Sequence, residues 1–561
     1  MGILAIYDIT GIQDFIFSTP KLKEIIGASK LVENILEKYL PDILSDIGKN
    51  ESLNIVQNWR PIAPEQPAPD FAMLVDSSID AEVLYIGGGN AWVAYKDKGL
   101  YEYVNELLSL KIFKSTYELR LVSVGVDTDF SDTSMIEGRT RYERDTIALQ
   151  KALKEEKKRL ISSRPAGGIS ITKQSVSTGQ PVVMVDQDDQ TLLSRVQVFK
   201  RIEAQDNSDN AGVTEFDAYT LKGEDSLLAV SHIDGNNIGA SIGEFIKKYS
   251  ASYQKAIPAM RSISNAITNY YKSAVDRVEN KLRLSIENEC FLNGIDPDTR
   301  ESLSTFRRII LNGDDVTLVC YGKIAMTLIV ELLLELAHHE ITVVTSDVTG
   351  PKTHKIPVSA CAGICYFNSH FPFSVAYHQA ETCCTWAKLA GREKKGNRST
   401  GHADHRTHGS WVDFFVNASN YPEGVDDVMA EFSAKNDSSE IPGRPYCVHM
   451  PSGEGDFWVD VAQSRAVSRL ENGLKYFNAD KSIAWPRGKS KALRDALSGE
   501  SDPLVILNHM KAQRRSLDRV QNPERGMDDN EIAKAGKYSV CYDALEMMDL
   551  FERLPEEVSE R

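Results

Sequence analysis

Two adjacent aspartates stand at a predicted turn in the segment FRRIILNGDDVTLVCYG. Gly313 permits a tight turn with positive φ, which leaves Asp314 and Asp315 together at the tip. Asn312 and Gly313 are predicted to border a nucleotide. Neighbouring like charges repel, so a solvated polar hairpin turn is the plain alternative. The chemistry such a pair would serve is the binding of Mg²⁺ or Mn²⁺, hard cations that prefer oxygen ligands.

A third carboxylate strengthens the functional interpretation. The predicted strand SLLAVSHID ends at Asp234, and GNNIG then predicts a turn into a helix. If this strand pairs beside the hairpin, the three carboxylates meet at one edge of the sheet. Two cations held about 4 Å apart there can activate a hydroxyl and stabilise leaving pyrophosphate. The turn at Gly235, Asn236 and Asn237 is predicted to hold a triphosphate on backbone amides at the helix N-terminus.

A basic segment follows the last predicted helix of this region, AKLAGREKKGNR. Lys388, near the end of the helix, is the preferred phosphate ligand, and Lys395 and Arg398 are further candidates. A solvated helix end and basic loop is the alternative interpretation.

The positions of these residues follow from a repeated order of elements. Hydrophobic periodicity predicts strand, helix, hairpin, helix and strand twice, in residues 1–130 and again in 226–400. The first copy comprises 3–9, 21–40, 81–97, 101–110 and 119–127. The second comprises 226–234, 253–287, 306–322, 323–339 and 355–367, with a closing helix over 376–391 that ends at a capping Gly391.

Spacing supports a duplicated domain. Asp8 and Asn90 are separated by 82 positions (90 − 8), and Asp234 and Asp315 by 81 (315 − 234). The first glycine turn reads GGGN and carries no acidic residue. The first copy is therefore predicted to be degenerate, binding nucleotide without catalysis.

Bulk properties limit the function class. A length of 561 residues suggests three or four domains at roughly 150 residues each. The net charge of −16 argues against a chain that coats nucleic acid, although it allows a local basic groove. No apolar run approaches the roughly 20 residues of a membrane span, so we expect a cytoplasmic protein. The eight cysteines form no CxxC pair, which favours small buried hydrophobes over a zinc site.

Several of these motifs resemble one family, the large subunit of type III CRISPR effector complexes, which makes cyclic oligoadenylates. DITGIQDFIFSTPKLKEIIGASKLVE looks like the first palm domain of that family, and HIDGNNIG like its metal-binding strand. LNGDDVTLV looks like its GGDD turn, and GRPYCV like a later element. The resemblance covers most of residues 1–450.

The resemblance implies an α+β fold with two ferredoxin-like palm domains, the first degenerate and the second active. A small inter-palm domain and a helical C-terminal domain complete it. The predicted limits are 1–134 for the first palm, 135–225 for the inter-palm helical and loop domain with its linker, 226–424 for the second palm and 425–561 for the helical domain.

The resemblance also implies the chemistry. Asp234, Asp314 and Asp315 would be the catalytic metal ligands of a two-metal Mg²⁺ or Mn²⁺ site, and Lys388 would contact phosphate. A 3′- or 2′-hydroxyl of ATP, or of another NTP, would attack the next α-phosphate. The product would be a cyclic oligonucleotide second messenger in antiviral defence. RNA and CRISPR effector subunits are the expected partners, and a homo-oligomer stays open.

The sequence also departs from the family. Asn312 replaces the first glycine of GGDD, and Asn236 replaces an acidic residue often found in the metal motif. No His-Asp dipeptide occurs, so the chain is identified as a divergent member without the HD nuclease domain. The four-cysteine zinc element between the palms is absent as well. HADHRTH, over 402–408, is either a metal-binding segment or a polar loop.

Two other functions compete. A non-catalytic scaffold subunit would bind nucleotide or RNA, with RGKSKALR and KAQRRSLDR as RNA-facing segments or as solvated helix faces. A template-directed polymerase is disfavoured, because no fingers or thumb can be identified.

Overall fold

A computed structural model describes most of the chain. The described residues are 2–160, 169–187, 189–205, 215–220, 227–288, 291, 306–347, 350–392, 406–417, 443–478, 485–498, 501–513, 530 and 540–554. Within them, helices surround two large sheets and two small ones, which makes the fold mixed α+β. None of the helices in these ranges has the length and apolarity needed to cross a bilayer.

The first part of the chain builds a five-stranded sheet in the order β2-β3-β4-β1-β5. On β1, Ile3 and Ala5 pack into one apolar cluster and Leu4 and Ile6 into another, so this strand is covered on both faces. This explains its continuous apolar run. The elements are β1 (Gly2–Thr10), α1 (Ile12–Phe17), α2 (Leu22–Asn34), α3 (Leu40–Asn50), β2 (Ile55–Val56), β3 (Ala81–Gly87), β4 (Asn90–Tyr95), α4 (Lys98–Thr116) and β5 (Arg120–Thr128).

A helical and loop segment follows the first sheet. Its first helix begins at a capping box formed by Thr140 and Glu143. Its second helix packs closely on α2, since a Cβ at Gly27 would lie 1.7 Å from the Lys200 carbonyl oxygen. The elements are α5 (Arg141–Arg159), β6 (Val182–Val185), β7 (Leu192–Ser194) and α6 (Arg195–Gln205).

The second large sheet has six strands in the order β15-β14-β13-β8-β10-β9. Its elements are β8 (Leu227–Gly235), α7 (Ile238–Lys247), α8 (Tyr253–Glu287), β9 (Phe306–Asn312), β10 (Asp315–Tyr321), α9 (Gly322–His338), β11 (Glu340–Asp347), β12 (Gly350–Pro357), β13 (Ala360–Asn368), α10 (Phe373–Ala390), β14 (Ser410–Asn417) and β15 (Tyr446–His449). The predicted helix over 253–287 is confirmed at both ends.

Both sheets contain the same strand order. β3-β4-β1-β5 in the first corresponds to β9-β10-β8-β13 in the second. The residues whose spacing suggested a repeat are also aligned, because Asp8 stands opposite Asn90 and Asp234 stands opposite Asp315. Each pair therefore lies at the same end of the corresponding strands.

The helix α8 connects the two sheets. The Arg261 side chain, fully buried, donates to Glu82 Oε1 at 2.8 Å and to the Leu84 carbonyl at 2.7 Å, both on β3. Ten residues later, Tyr271 lies in the core of the second sheet. A buried ion pair with added carbonyl acceptors fixes the helix on the first sheet.

One strand that the sequence predicted is wrong in its first part. The apolar run 355–367 was expected to be one strand, but 355–357 are the end of β12 and 360–367 form most of β13. β12 pairs with β11 in a separate hairpin that the sequence did not predict. The second sheet also extends beyond residue 424, since β15 pairs with β14. The domain limits themselves stay predictions.

The described C-terminal residues are mainly helical. Arg444, beside β15, lies 3.8 Å from Asp543 of the last helix, and both are buried, so this contact holds the helix against the sheet. The helices are α11 (Asp456–Ser464), α12 (Val467–Asn478), α13 (Arg487–Leu497), α14 (Pro503–Ala512) and α15 (Val540–Met547).

Candidate active site at the edge of the second sheet

The three predicted carboxylates lie together. Asp234 on β8 faces Asp315, the first residue of β10, as a cross-strand pair. Side chains in such a pair share one face of the sheet at about 5 Å. Asp314 directly precedes Asp315 and follows Gly313, which has a φ of 64° in the turn. Glycine adopts this left-handed conformation without a steric cost, which explains why a glycine occupies position 313.

Lys388 joins the carboxylates from the last turn of α10. Its Nζ lies 2.5 Å from Asp234 Oδ2. The helix reaches the site because it packs almost directly on β13. A Cβ at Gly363 would lie 2.0 Å from the Ala380 carbonyl oxygen, so only glycine allows this approach. Lys388, predicted as a phosphate ligand, lies at the site as the ion-pair partner of Asp234, and its phosphate role stays a prediction.

Among the described residues, the three carboxylates outnumber the one ammonium that is paired with them, that of Lys388. Burial, followed by repulsion from Asp234 and Asp314, raises the pKa of Asp315 to about 7. Burial also raises the pKa of Asp314. Oδ1 of Asp315 is buried and has no hydrogen-bond partner among the described residues. Unpaired buried carboxylate oxygen is costly, which makes this edge receptive to a cation.

His232 is a site residue that the sequence reasoning missed. Its Nδ1 lies 3.5 Å from Asp315 Oδ1, and its ring packs edge-on against Tyr377 of α10. Burial lowers the pKa of this histidine although the Asp234 charge opposes the shift. Strand alternation could have found it, because residues two apart on a strand share a face.

Tyr271 was also missed. Its hydroxyl is buried beside Gly235, close to Asp314, and it has no hydrogen-bond partner in the described part of the chain. Burial, with the Asp314 charge adding to it, raises its pKa well above the usual value, so the hydroxyl stays protonated. No local sequence signal marks this residue, because α8 contributes it from a distant segment.

The turn after Asp234 is hydrogen-bonded to neighbouring segments of the chain, at Ser359 and at 407–409. The Asn236 side chain donates to the Gly409 carbonyl at 2.9 Å, and its backbone N–H donates to Ser359. Asn237 exchanges two hydrogen bonds with the Thr407 backbone, at 3.1 and 3.2 Å. The N-cap residue Asn237 makes no side-chain hydrogen bond to the first turn of α7. The nucleotide-binding roles of Gly235, Asn236 and Asn237 stay predictions.

The turns of the two sheets approach each other. A Cβ at Gly89 of the first turn would lie 3.8 Å from the Asn312 amide nitrogen of the second. Asn312 and Gly313 thus border the space between the sheets. The candidates Lys395 and Arg398, and most of the HADHRTH segment, lie outside the described residues.

The corresponding edge of the first sheet carries a similar ion pair. Lys157 of α5 places its Nζ 2.8 Å from Asp8 Oδ2. Opposite Asp8, the Asn90 side chain accepts a hydrogen bond from the Tyr85 hydroxyl at 2.6 Å. In the part of the chain that the structure describes, the Asp8 carboxylate of this edge is therefore paired with an ammonium.

The residues present fit a hard divalent cation in chemistry. In the described ranges, no three His, Cys, Asp or Glu side chains form a ready-made metal cluster. The donors near Asp315 are nevertheless carboxylate oxygens with surplus negative charge and one unpaired buried oxygen. Oxygen donors of this kind suit Mg²⁺ or Mn²⁺ better than zinc. Fold and site together define a mixed α+β protein with a carboxylate–lysine site at a strand end.

Known structures share this fold. No protein-family model and no curated protein matches the sequence. The Csm1–Csm4 cassette in complex with cA4 matches with 14% identity and a TM-score of 0.50, over 98% of this chain and 69% of that chain. Csm1 of T. onnurineus matches with 12% identity and a TM-score of 0.49, over 98% and 69%. The Csm1–Csm4 subcomplex of a type III-A CRISPR-Csm interference complex matches with 13% and 0.45, over 98% and 70%. The first match gives this chain the fold of Csm1.

Proposed function

We propose that the chain is a metal-dependent nucleotidyltransferase that joins ATP, or another NTP, into a cyclic oligonucleotide second messenger. It would be a divergent member of the large-subunit family of type III CRISPR effector complexes. The observation that carries the proposal is the cross-strand pair of Asp234 and Asp315 with Lys388 Nζ 2.5 Å from Asp234. Carboxylates for cations beside a lysine for phosphate are the parts that phosphoryl transfer needs.

In this proposal the two large sheets belong to two palm domains. Support comes from the shared strand order and from the matching positions of Asp8 and Asp234. The order β9-β10-β8-β13 is that of a ferredoxin-like sheet. Substrates would lie between the sheets, where the two turns approach each other.

The residues of the second edge have separate roles. Asp234, Asp314 and Asp315 would hold Mg²⁺ or Mn²⁺, which when bound supplies charge neutralisation and a lowered pKa for the attacking hydroxyl. Lys388 would leave Asp234 for a phosphate oxygen, since an ammonium binds either anion. The N-terminus of α7 would hold the other phosphates.

Partners follow from the same proposal. The matching Csm1–Csm4 cassette is a complex with cA4. We extend this to a Csm4-like subunit and adenine nucleotides for this chain. An RNA trigger and a homo-oligomer remain further proposals.

Pyrophosphate release tests the function. The purified chain is incubated with ATP and Mn²⁺ or Mg²⁺, with and without RNA, beside the Asp314→Ala/Asp315→Ala variant. We expect release that the double substitution removes. Equal release by both proteins, or none from the wild type under every condition, would overturn the proposal. Asp80→Ala is the matched control, because its carboxylate pairs with Lys96 on the first sheet, away from the site.

A nucleotide- or RNA-binding scaffold without chemistry is the second candidate. One observation favours it: Lys388 already neutralises Asp234, so the edge is partly satisfied without a cation. ATP binding that is independent of Mn²⁺, together with an absence of turnover, would support the scaffold.

A further inference from the structure

The Tyr271 hydroxyl lies beside Gly235, next to the carboxylate site, and is a potential hydrogen-bond donor to it. The ring is fully buried in the core under the second sheet. Its hydroxyl has no hydrogen-bond partner in the residues that the structure describes. A buried hydroxyl without a partner is unfavourable, so a nearby acceptor that completes it would be stabilising.

Asp314 lies beside this hydroxyl, without a hydrogen bond to it in this structure. A Cβ built on Gly235 would lie 2.5 Å from the Tyr271 hydroxyl oxygen and 2.9 Å from Asp314 Cβ. Both groups thus flank the same glycine, and any side chain there would separate them. Gly235 is the residue after Asp234, so the hydroxyl lies behind the carboxylates, on the side opposite His232.

The position of the hydroxyl is fixed from both sheets. Tyr271 lies on α8, which Arg261 anchors to β3 through Glu82 and several backbone carbonyls. Ten residues of helix span about 15 Å, so the anchor and the hydroxyl are rigidly connected. A donor held in this way can orient a turn residue such as Asp314.

We propose that Tyr271 is a positioning residue: when a cation binds, its hydroxyl, which has no partner among the described residues here, donates a hydrogen bond to the Asp314 carboxylate and orients it. The inference rests on the proposed function, in which Asp314 is a metal ligand. Groups that hydrogen-bond metal ligands fix their orientation, and their loss costs about 10- to 100-fold in metal affinity or activity.

The test is Tyr271→Phe, which removes one oxygen and keeps the ring. Mn²⁺ binding to the full chain is measured by calorimetry in the presence of a non-hydrolysable ATP analogue, beside thermal unfolding and ATP turnover. We expect Mn²⁺ affinity to fall by about 10- to 100-fold. Turnover should recover partly at high Mn²⁺. The unfolding temperature should change little.

Tyr366→Phe is the matched control. Tyr366 is equally buried, on β13, but pairs with Ala229 at the far end of β8. The same deletion there should leave Mn²⁺ affinity unchanged. In an Asp314→Asn background, Tyr271→Phe should add no further loss, because the pair acts as a unit.

Three outcomes overturn the inference. They are wild-type Mn²⁺ affinity in Tyr271→Phe, an equal loss in Tyr366→Phe, and an absence of Mn²⁺ binding in the wild type. A wild-type chain that binds Mn²⁺ without turning over ATP contradicts the proposed function instead. The binding isotherms still decide the role of Tyr271 in that case.

Discussion

The corresponding edges of the two large sheets share a framework and differ in charge. Each places an aspartate near the end of one strand, β1 or β8, and a lysine from the helix that follows β5 or β13. Asp8 pairs with Lys157 at 2.8 Å, and Asp234 with Lys388 at 2.5 Å. The lysines follow their aspartates by 149 and 154 (388 − 234) positions. The framework is therefore present at both edges.

The turn residues make the difference. Opposite the aspartate, the first sheet has Asn90 and the second has Asp315, preceded by Asp314. Among the described residues, the Asp8 carboxylate of the first edge is paired with Lys157. At the second edge, burial, followed by repulsion from Asp234 and Asp314, raises the pKa of Asp315 to about 7. The comparison teaches that the sheet supplies positions, while the turn decides whether an edge can attract a divalent cation.

The largest effect is expected from Asp315→Asn. The substitution keeps the shape and removes a cation-binding charge, so ATP turnover should fall on the order of a thousand-fold. Asp8→Asn, the same change at the other edge, should reduce turnover less than about tenfold. Initial rates of pyrophosphate release measure both. Equal losses would mean that the two edges are not functionally different.

Replacement of the lysines comes next. Lys388→Met should lower turnover by about 10- to 100-fold, because a charged hydrogen bond to phosphate contributes about 1.5–3 kcal/mol. The Lys157→Met variant should lose less. Rates at saturating and limiting ATP show whether the loss lies in kcat or KM. A larger loss from Lys157→Met would contradict the assignment of the phosphate site to the second edge.

Helix packing gives a third contrast. Gly363 stands opposite His232, two residues before Asp234, whereas Val124 stands opposite Ile6, two residues before Asp8. Gly363→Ala would collide with the α10 backbone and should destabilise the fold by about 2 kcal/mol. Val124→Ala should cost less than about 1 kcal/mol, since Val124 is only partly buried. Urea unfolding measures the loss of stability in both variants. Equal losses would contradict the close approach of α10 to β13.

The smallest effect is expected from adding a carboxylate to the first edge. Asn90→Asp would place a second carboxylate opposite Asp8 and should cost about 1 kcal/mol without divalent cations. Added Mn²⁺ should reduce that cost in the free energy of unfolding. Mn²⁺ should change the free energy of unfolding of the wild type less. Urea unfolding with and without Mn²⁺ measures the difference. A cost unaffected by Mn²⁺ would show that carboxylate pairing alone does not create a cation site.

Sequence periodicity predicted the parts that depend on local pattern. The helix 253–287 is strongly periodic, and its bounds were confirmed. The spacing of Asp8 and Asn90 indicated a repeat of the second region, and in the structure both spaced pairs face each other across neighbouring strands.

Other features depend on contacts between distant segments. The run 355–367 has apolar residues on both sides of the break at 358–359, so its division between two sheets left no periodic signal. The approach of α10 at Gly363 and the location of Tyr271 behind Gly235 arise from packing. Lys157 could be matched to Lys388 only after the strand orders were known.

Mass spectrometry of the reaction products tests the central claim most directly. The wild-type chain and its Asp234→Asn variant are incubated with ATP and Mn²⁺, with a Csm4-like partner and RNA present. The account predicts a cyclic oligoadenylate mass from the wild type and only unreacted ATP from Asp234→Asn. Unreacted ATP from the wild type, or the same product from both proteins, would contradict it.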